Sequence, residues 1–176
     1  TVSNIGMIGG GVTPHPGEVT LAHNGVLFLD EFPEFDKKTL EVLRQPVEDG
    51  RITVTRTGYK LTYPSRFMLV AAMNPCPCGF YNHPTKECTC APFSIHRYFS
   101  RISGPLLDRI DMHIEVVPVP LSEINGEQVE ESSAEIRKRV IAAREIQLDR
   151  FKGTGIHSNA MMNSAMLRRF CPLSGE

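Results

Sequence analysis

The sequence predicts an α/β fold, a mostly parallel sheet with flanking helices and a β-hairpin insertion, on three observations. Residues 25–32 (Gly-Val-Leu-Phe-Leu-Asp-Glu-Phe) and 66–72 (Arg-Phe-Met-Leu-Val-Ala-Ala) carry short continuous apolar runs. Such runs read as strands buried on both faces in the middle of a parallel sheet. Between them, residues 51–63 alternate and are rich in β-branched and aromatic side chains around Gly58, which predicts a β-hairpin. Apolar residues spaced three and four apart supply the helices.

With 176 residues, 41% hydrophobic and 22% charged, the chain has an ordinary globular composition, enough for one packed core and a small appendage. A net charge of -1 means that any basic surface for an anionic partner must be local. No run approaches the roughly 20 apolar residues of a membrane span. The opening Thr-Val-Ser-Asn has no basic and then apolar leader, so a cytoplasmic protein with no membrane partner is expected. The chain opens without Met and stops at Leu-Ser-Gly-Glu, so a piece of a longer protein is expected too.

Residues 1–20 hold Gly9-Gly10-Gly11 and Pro14-His15-Pro16-Gly17, which predicts a loop. A triple glycine can cradle phosphate, but the Gly-Lys dipeptide of a P-loop occurs nowhere in the chain, and turns are the commoner use of such glycines. Asp30 and Glu31 then close the first apolar strand. In open α/β sheets ligands bind at that end, although two acids can also simply stand at a solvated edge. Asp36 is placed to cap a helix running to about Gly50, with Leu40, Leu43 and Val47 on one face and Pro46 disturbing its last turn. The hairpin turn carries Arg56 and Lys60, either a solvated tip or a contact for an anionic polymer such as nucleic acid.

Asn74 closes the second apolar strand. An amide there can hold an attacking water or a γ-phosphate, while Asn before Pro also starts turns. Cys76, Cys78, Cys88 and Cys90 follow in an insertion spanning 75–92. Two Cys-x-Cys pairs can place four thiolates around Zn²⁺; free thiols and disulfides are the other readings, with disulfides weakest in a reducing compartment. His83, between the pairs, is an alternative ligand or an exposed loop residue, and Cys171 reads as core. Pro105 begins a short helix anchored by Leu106 and Leu107, Arg109 follows between Asp108 and Asp111, and residues 112–117 predict another strand. An arginine so flanked is usually paired locally. Pro118-Val119-Pro120 marks a boundary between a 1–120 α/β domain and a helical 121–176 segment. There Ser133 caps a helix to about Phe151, and a last helix over 159–170 carries a core stripe of Met162, Met166 and Phe170.

The acidic strand, Asn74 after the next apolar strand, and Leu106-Leu107-Asp108-Arg109 stand in the order of an AAA+ ATPase core. Gly9 to Gly11, Pro16-Gly17-Glu18, Leu21-Ala22-His23-Asn24 and Ala71-Ala72-Met73-Asn74-Pro75-Cys76-Pro77-Cys78-Gly79 resemble the magnesium chelatase-related branch, more closely the ComM/YifB-like competence family. The resemblance covers nearly the whole chain. It implies a partial AAA+ P-loop core with the start of a helical lid: 1–20 similar to a helix-2 insert, 25–32 a Walker B strand, and 51–63 a hairpin pointing into the pore of a ring, expected to be a hexamer. It implies ATP and Mg²⁺ as cofactors. Asp30 would hold Mg²⁺, Glu31 would orient the attacking water, Asn74 would be sensor 1, and Arg109 would be an arginine finger serving the neighbouring subunit. Arg56 and Lys60 become candidate DNA contacts, and ATP-driven remodelling of DNA during competence the implied function. Because the Walker A lysine loop and the sensor 2 arginine are missing from the pattern, this chain alone is expected to bind ATP weakly and not to hydrolyse it. Two rivals stand beside that reading: a magnesium chelatase ATPase subunit, and a non-catalytic zinc-bearing binding module.

Overall fold

Ser3 starts the first helix, α1 (Asn4–Ile8), by accepting the Gly6 N–H on its hydroxyl at 3.2 Å. The computed structural model describes residues 2–11, 13–56, 58–119 and 131–172. They fall into two units, Thr1–Pro118 and Val119–Glu176.

In the first unit, α1 is followed by β1 (Gly9–Gly10) paired antiparallel with β2 (His15–Pro16), then by α2 (Glu18–Leu21). The expected loop over 1–20 is therefore a small helix–ribbon–helix unit. It is anchored by Met7 and Val19, which are fully buried and outweigh the turn-forming composition. Two glycines permit it: a Cβ on Gly17 would stand 2.2 Å from the Gly9 nitrogen, and one on Gly9 would stand 2.4 Å from the His15 carbonyl oxygen.

The central strand β3 (Val26–Leu29) comes next, and a 3₁₀ turn at Phe32–Glu34 follows it. Asp36 caps α3 (Lys37–Val42) through the Thr39 N–H at 3.0 Å, as its position predicts. The expected single helix is in fact two, with α4 (Arg44–Asp49) starting after Leu43. Pro46 is the reason: its ring conflicts with the carbonyl four residues back, that of Val42, where α3 stops. Gly50, at φ 63°, ends α4.

The hairpin forms as expected, β4 (Arg51–Arg56) on β5 (Tyr59–Pro64), in register from Arg51 opposite Pro64 to Arg56 opposite Tyr59. Thr53 and Thr62 hydroxyls bond across it at 3.0 Å. Then β6 (Met68–Ala71) pairs parallel with β3, Val26 opposite Met68 and Leu29 opposite Ala71. The fold is thus mixed α/β with small sheets, one of them parallel. Leu27 and Leu29 point into the core with Met7, Val19, Phe32, Leu40, Leu43, Ile52, Ile102 and Leu106. Burial on both faces, expected from the apolar run, is not what the described residues show: Val26 and Phe28 are 57% and 59% exposed, and Met68 and Val70 share that open face. Helices α5 (Pro92–Phe99) and α6 (Gly104–Leu107) close the unit, with Pro105 in the first turn of α6 and Leu106 fully buried. The strand expected over 112–117 does not form; Met112, Ile114, Val116 and Val117 are exposed. A strand needs a neighbour's backbone to satisfy its own, and those residues have none among the described ones.

In the second unit, the helix Ser133–Arg150 is capped by Ser132, one residue before the expected Ser133, and buries none of its side chains; Ile136, Val140 and Leu148 are exposed. Just past its end, buried Phe151 packs edge-on to Phe170 with ring centroids 5.4 Å apart. The last α-helix, Ser164–Phe170, starts later than expected because Asn163 caps it through the Met166 N–H at 3.0 Å. Met162, Met166 and Phe170, expected as a core stripe, are only half-buried, and Cys171 is exposed rather than core, since the helix ends before it. Most of the acidic stretch before the helix Ser133–Arg150 lies outside the described residues. Among the described residues no helix is long and apolar enough to cross a membrane.

Candidate functional site

Parallel pairing brings the C-terminal ends of β3 and β6 side by side. Past the strands the ladder continues: the Ala72 N–H donates to the Leu29 carbonyl and the Phe32 N–H to the Ala72 carbonyl, each at 2.9 Å. Asp30 and Glu31 therefore stand beside the segment that carries Asn74, and all three are exposed. The Glu31 N–H donates to Asp30 Oδ1 at 2.8 Å, which fixes one carboxylate oxygen and leaves Oδ2 open. Glu31 itself sits at φ 50°, ψ 44°, left-handed backbone that a non-glycine residue enters at a cost of about 1–2 kcal/mol. Phe32 and Pro33, both buried, hold it there, and such stored strain is typical of functional turns. Two exposed carboxylates offer hard oxygen donors, a set that fits Mg²⁺ rather than a softer ion.

Two residues that the sequence did not single out for this site buttress it from α5 and its end. The backbone of Asn74 lies within reach of the Tyr98 phenol, which is buried, and burial pushes its pKa up. Arg101, three residues on, donates to the Pro33 carbonyl at 3.0 Å and to Glu34 Oε2 at 2.8 Å, so it grips the turn that follows Glu31. The i, i+3 spacing of Tyr98 and Arg101 was the available signal.

Arg109 forms no ion pair with Asp30 or Glu31. Its guanidinium pairs with Glu48 on α4, Nε to Oε2 at 2.9 Å, and not with the flanking Asp108 or Asp111. At the hairpin, Lys60 is exposed, while the side chain of Arg56 lies outside the described residues. Tyr59 beside them donates its hydroxyl to the Gly11 carbonyl at 2.9 Å, tying the hairpin tip to the glycine-rich ribbon.

The four cysteines of 75–92 converge. All four sulfurs lie within 4.8 Å of one another, and Cys76 to Cys78, Cys78 to Cys88 and Cys76 to Cys88 are 3.3, 3.6 and 3.7 Å apart. All four are free thiols, and Cys76 is buried. The Phe80 backbone N–H, with help from the neighbouring thiols, lowers the Cys78 pKa to about 6. At Cys88 a backbone N–H of Cys90 opposes the change, but burial and the adjacent thiols push the thiol up to about 12. Burial likewise raises Cys90. Of the described residues, these four are the one group of three or more His, Cys, Asp or Glu side chains gathered closely enough to hold a metal ion. His83 is not in it: its Nδ1 accepts the N–H groups of Thr85 and Lys86, each at 3.1 Å.

Comparison with known proteins identifies the family. The family model described as "Magnesium chelatase, subunit ChlI" matches residues 1–124, and "Magnesium chelatase, subunit ChlI C-terminal" matches 130–176. The chain is 50% identical over 172 residues to "Uncharacterized protein YifB" of Escherichia coli, covering 97% of this chain and 33% of that protein. It is 46% identical over 171 residues to "Competence protein ComM" of Haemophilus influenzae, covering 97% and 32%. To the "Magnesium-chelatase subunit ChlI homolog" of Methanocaldococcus jannaschii it is 28% identical over 137 residues, covering 74% and 34%. The chain thus spans about a third of the length of these curated relatives. It belongs to the magnesium chelatase subunit ChlI family, close to the YifB and ComM proteins.

Proposed function

We propose that this chain is the Walker B-to-lid portion of an AAA+ ATPase whose ATP hydrolysis remodels DNA, working as a ring, expected to be a hexamer. The observation that carries the reading is the adjacency of Asp30–Glu31 and Asn74 at the ends of hydrogen-bonded parallel strands. Bound Mg²⁺·ATP supplies the phosphoanhydride to be cleaved and a counter-charge for its phosphates. Asp30, with one oxygen held by the Glu31 N–H and the other free, would hold the ion through its water shell. Glu31 accepts a hydrogen bond from the attacking water and aims its lone pair. Asn74 offers an amide donor on the adjacent strand end. Arg109 serves the neighbouring subunit's site, where an arginine in trans is worth on the order of 10³ to 10⁵ in rate. Arg56 and Lys60 on the hairpin contact phosphate of DNA in the pore. A zinc ion among the four thiols completes the cofactors. The chain contains no Gly-Lys-Ser/Thr, so hydrolysis is a property of the full-length protein and these 176 residues alone do not turn ATP over.

The name of the Haemophilus relative, a competence protein, supports a DNA substrate. The test is ATP hydrolysis by the full-length protein with and without single-stranded DNA, beside Glu31→Gln. DNA-stimulated hydrolysis is expected, and the variant is expected to bind ATP without cleaving it. Turnover retained in Glu31→Gln removes that residue from the mechanism. Hydrolysis indifferent to DNA but raised by a porphyrin-chelatase partner moves the chain to the chelatase reading, and no hydrolysis at all leaves a zinc-bearing binding module.

A further inference from the structure

We infer that Cys76, Cys78, Cys88 and Cys90 enclose one Zn²⁺ as a closed structural site, and that this site clamps the exit of β6 and so fixes Asn74. The functional weight of Asn74 rests on the ATPase reading above; the metal and the clamp do not. Tetrahedral Zn²⁺ with thiolates at about 2.3 Å requires sulfurs about 3.8 Å apart. The separations of 3.3, 3.6 and 3.7 Å, within a group spanning no more than 4.8 Å, lie close to that geometry. Four protein ligands leave no open position, which is the form of structural rather than catalytic zinc.

The surrounding chain needs such a clamp. Between Ala71 and Pro92 it forms neither helix nor strand, and turn bonds such as Gly79 N–H to Cys76 carbonyl at 3.0 Å are local. An irregular excursion of this length buries little apolar surface to offset its ordering entropy. The first pair of thiols begins two residues after Asn74, and Cys90 stands two residues before α5. One ion would therefore join the end of β6 to the start of α5. Asn74, two residues before the first thiol, is thus fixed by the metal site next to it. His83 stays outside because its Nδ1 is committed to the turn of Thr85 and Lys86.

The test uses the full-length protein purified without chelator. One zinc per chain is expected by mass spectrometry, and Co²⁺ exchanged into the site should show intense thiolate-to-cobalt charge transfer with tetrahedral d–d bands. Cys78→Ser and Cys88→Ser should each hold less than about a tenth of the metal, since loss of a single thiolate opens the closed site. Wild-type protein with under a tenth of an equivalent of zinc, and no thiolate–cobalt absorption, overturns the site. The clamp is read by hydrogen exchange before and after stripping zinc from the folded wild type, which avoids any failure of the variants to fold. Amides of residues 70–78 should exchange at least about tenfold faster without metal, while the β4–β5 hairpin stays unchanged. Equal exchange at 70–78, or a uniform rise across the protein, overturns the clamp. Neither readout depends on hydrolysis, so loss of the ATPase reading would leave both results interpretable.

Discussion

Arg109 Nε lies 2.9 Å from Glu48 Oε2, so the arginine after α6 is paired with a residue 61 positions upstream on α4. The Glu48 side chain is 60% exposed. Arg109 itself is 26% exposed, so water screens the pair only in part and breaking it costs on the order of 1 kcal/mol. A neighbouring phosphate can outcompete Glu48. Arg109→Ala is expected to lower kcat of the full-length protein about 10³-fold or more with ATP affinity retained, and Arg109→Lys should not rescue it because the planar fork is lost. Glu48→Ala should leave hydrolysis equal or faster. Steady-state kinetics on the three variants decides, and a Glu48→Ala defect as large as that of Arg109→Ala would make the pair structural.

Arg101 bonds both the Pro33 carbonyl and Glu34, directly behind Glu31. Its ion pair is half exposed on both sides, so Arg101→Ala should cost no more than about 1 kcal/mol in a urea titration. Yet the turn carrying Glu31 loses its grip, and displacement near 1 Å can lower kcat about a hundredfold. Unchanged stability with a fall in kcat and a steady KM is the expected pattern; unchanged kcat would show that Phe32 and Pro33 hold the turn alone.

Lys60 and Arg56 flank the hairpin turn, and each phosphate they neutralise should release counterions. The double variant Arg56→Ala/Lys60→Ala is expected to reduce the slope of log K against log salt for single-stranded DNA by roughly 1.4, about 0.7 per contact. Fluorescence anisotropy at several salt concentrations measures it. An unchanged slope would place the DNA elsewhere.

Asp36 caps α3, and the Thr39 hydroxyl and N–H hold its carboxyl below the ordinary 3.8. A depressed folded pKa gives stability that is present above about pH 4 and is lost as pH falls through the folded value. Asp36→Ala should therefore lower the urea midpoint at neutral pH, and its difference from wild type should shrink below about pH 4. A difference independent of pH would mean that the charge is not part of the cap.

The sequence by itself determined which residues end the two apolar strands, where the hairpin turns, that Asp36 caps a helix, and that four cysteines share one short excursion. Each is a local matter of periodicity, capping chemistry or spacing, legible without knowing what lies opposite. The tertiary structure decided the rest. It made residues 1–20 a packed unit through Met7 and Val19, split the α3–α4 helix at the Val42 carbonyl facing Pro46, and left Val26 and Phe28 open. Among the described residues it also gave 112–117 no strand partner, because an apolar run records only a capacity for burial and not whether another surface arrives to use it. At the candidate site, Asp30, Glu31 and Asn74 were legible as strand ends. Arg101, which grips the turn after Glu31, and Glu48, which holds Arg109, come from distant positions in the chain. Only the packing of the end of α5 against the turn behind Glu31, and of the end of α6 against α4, could bring them there.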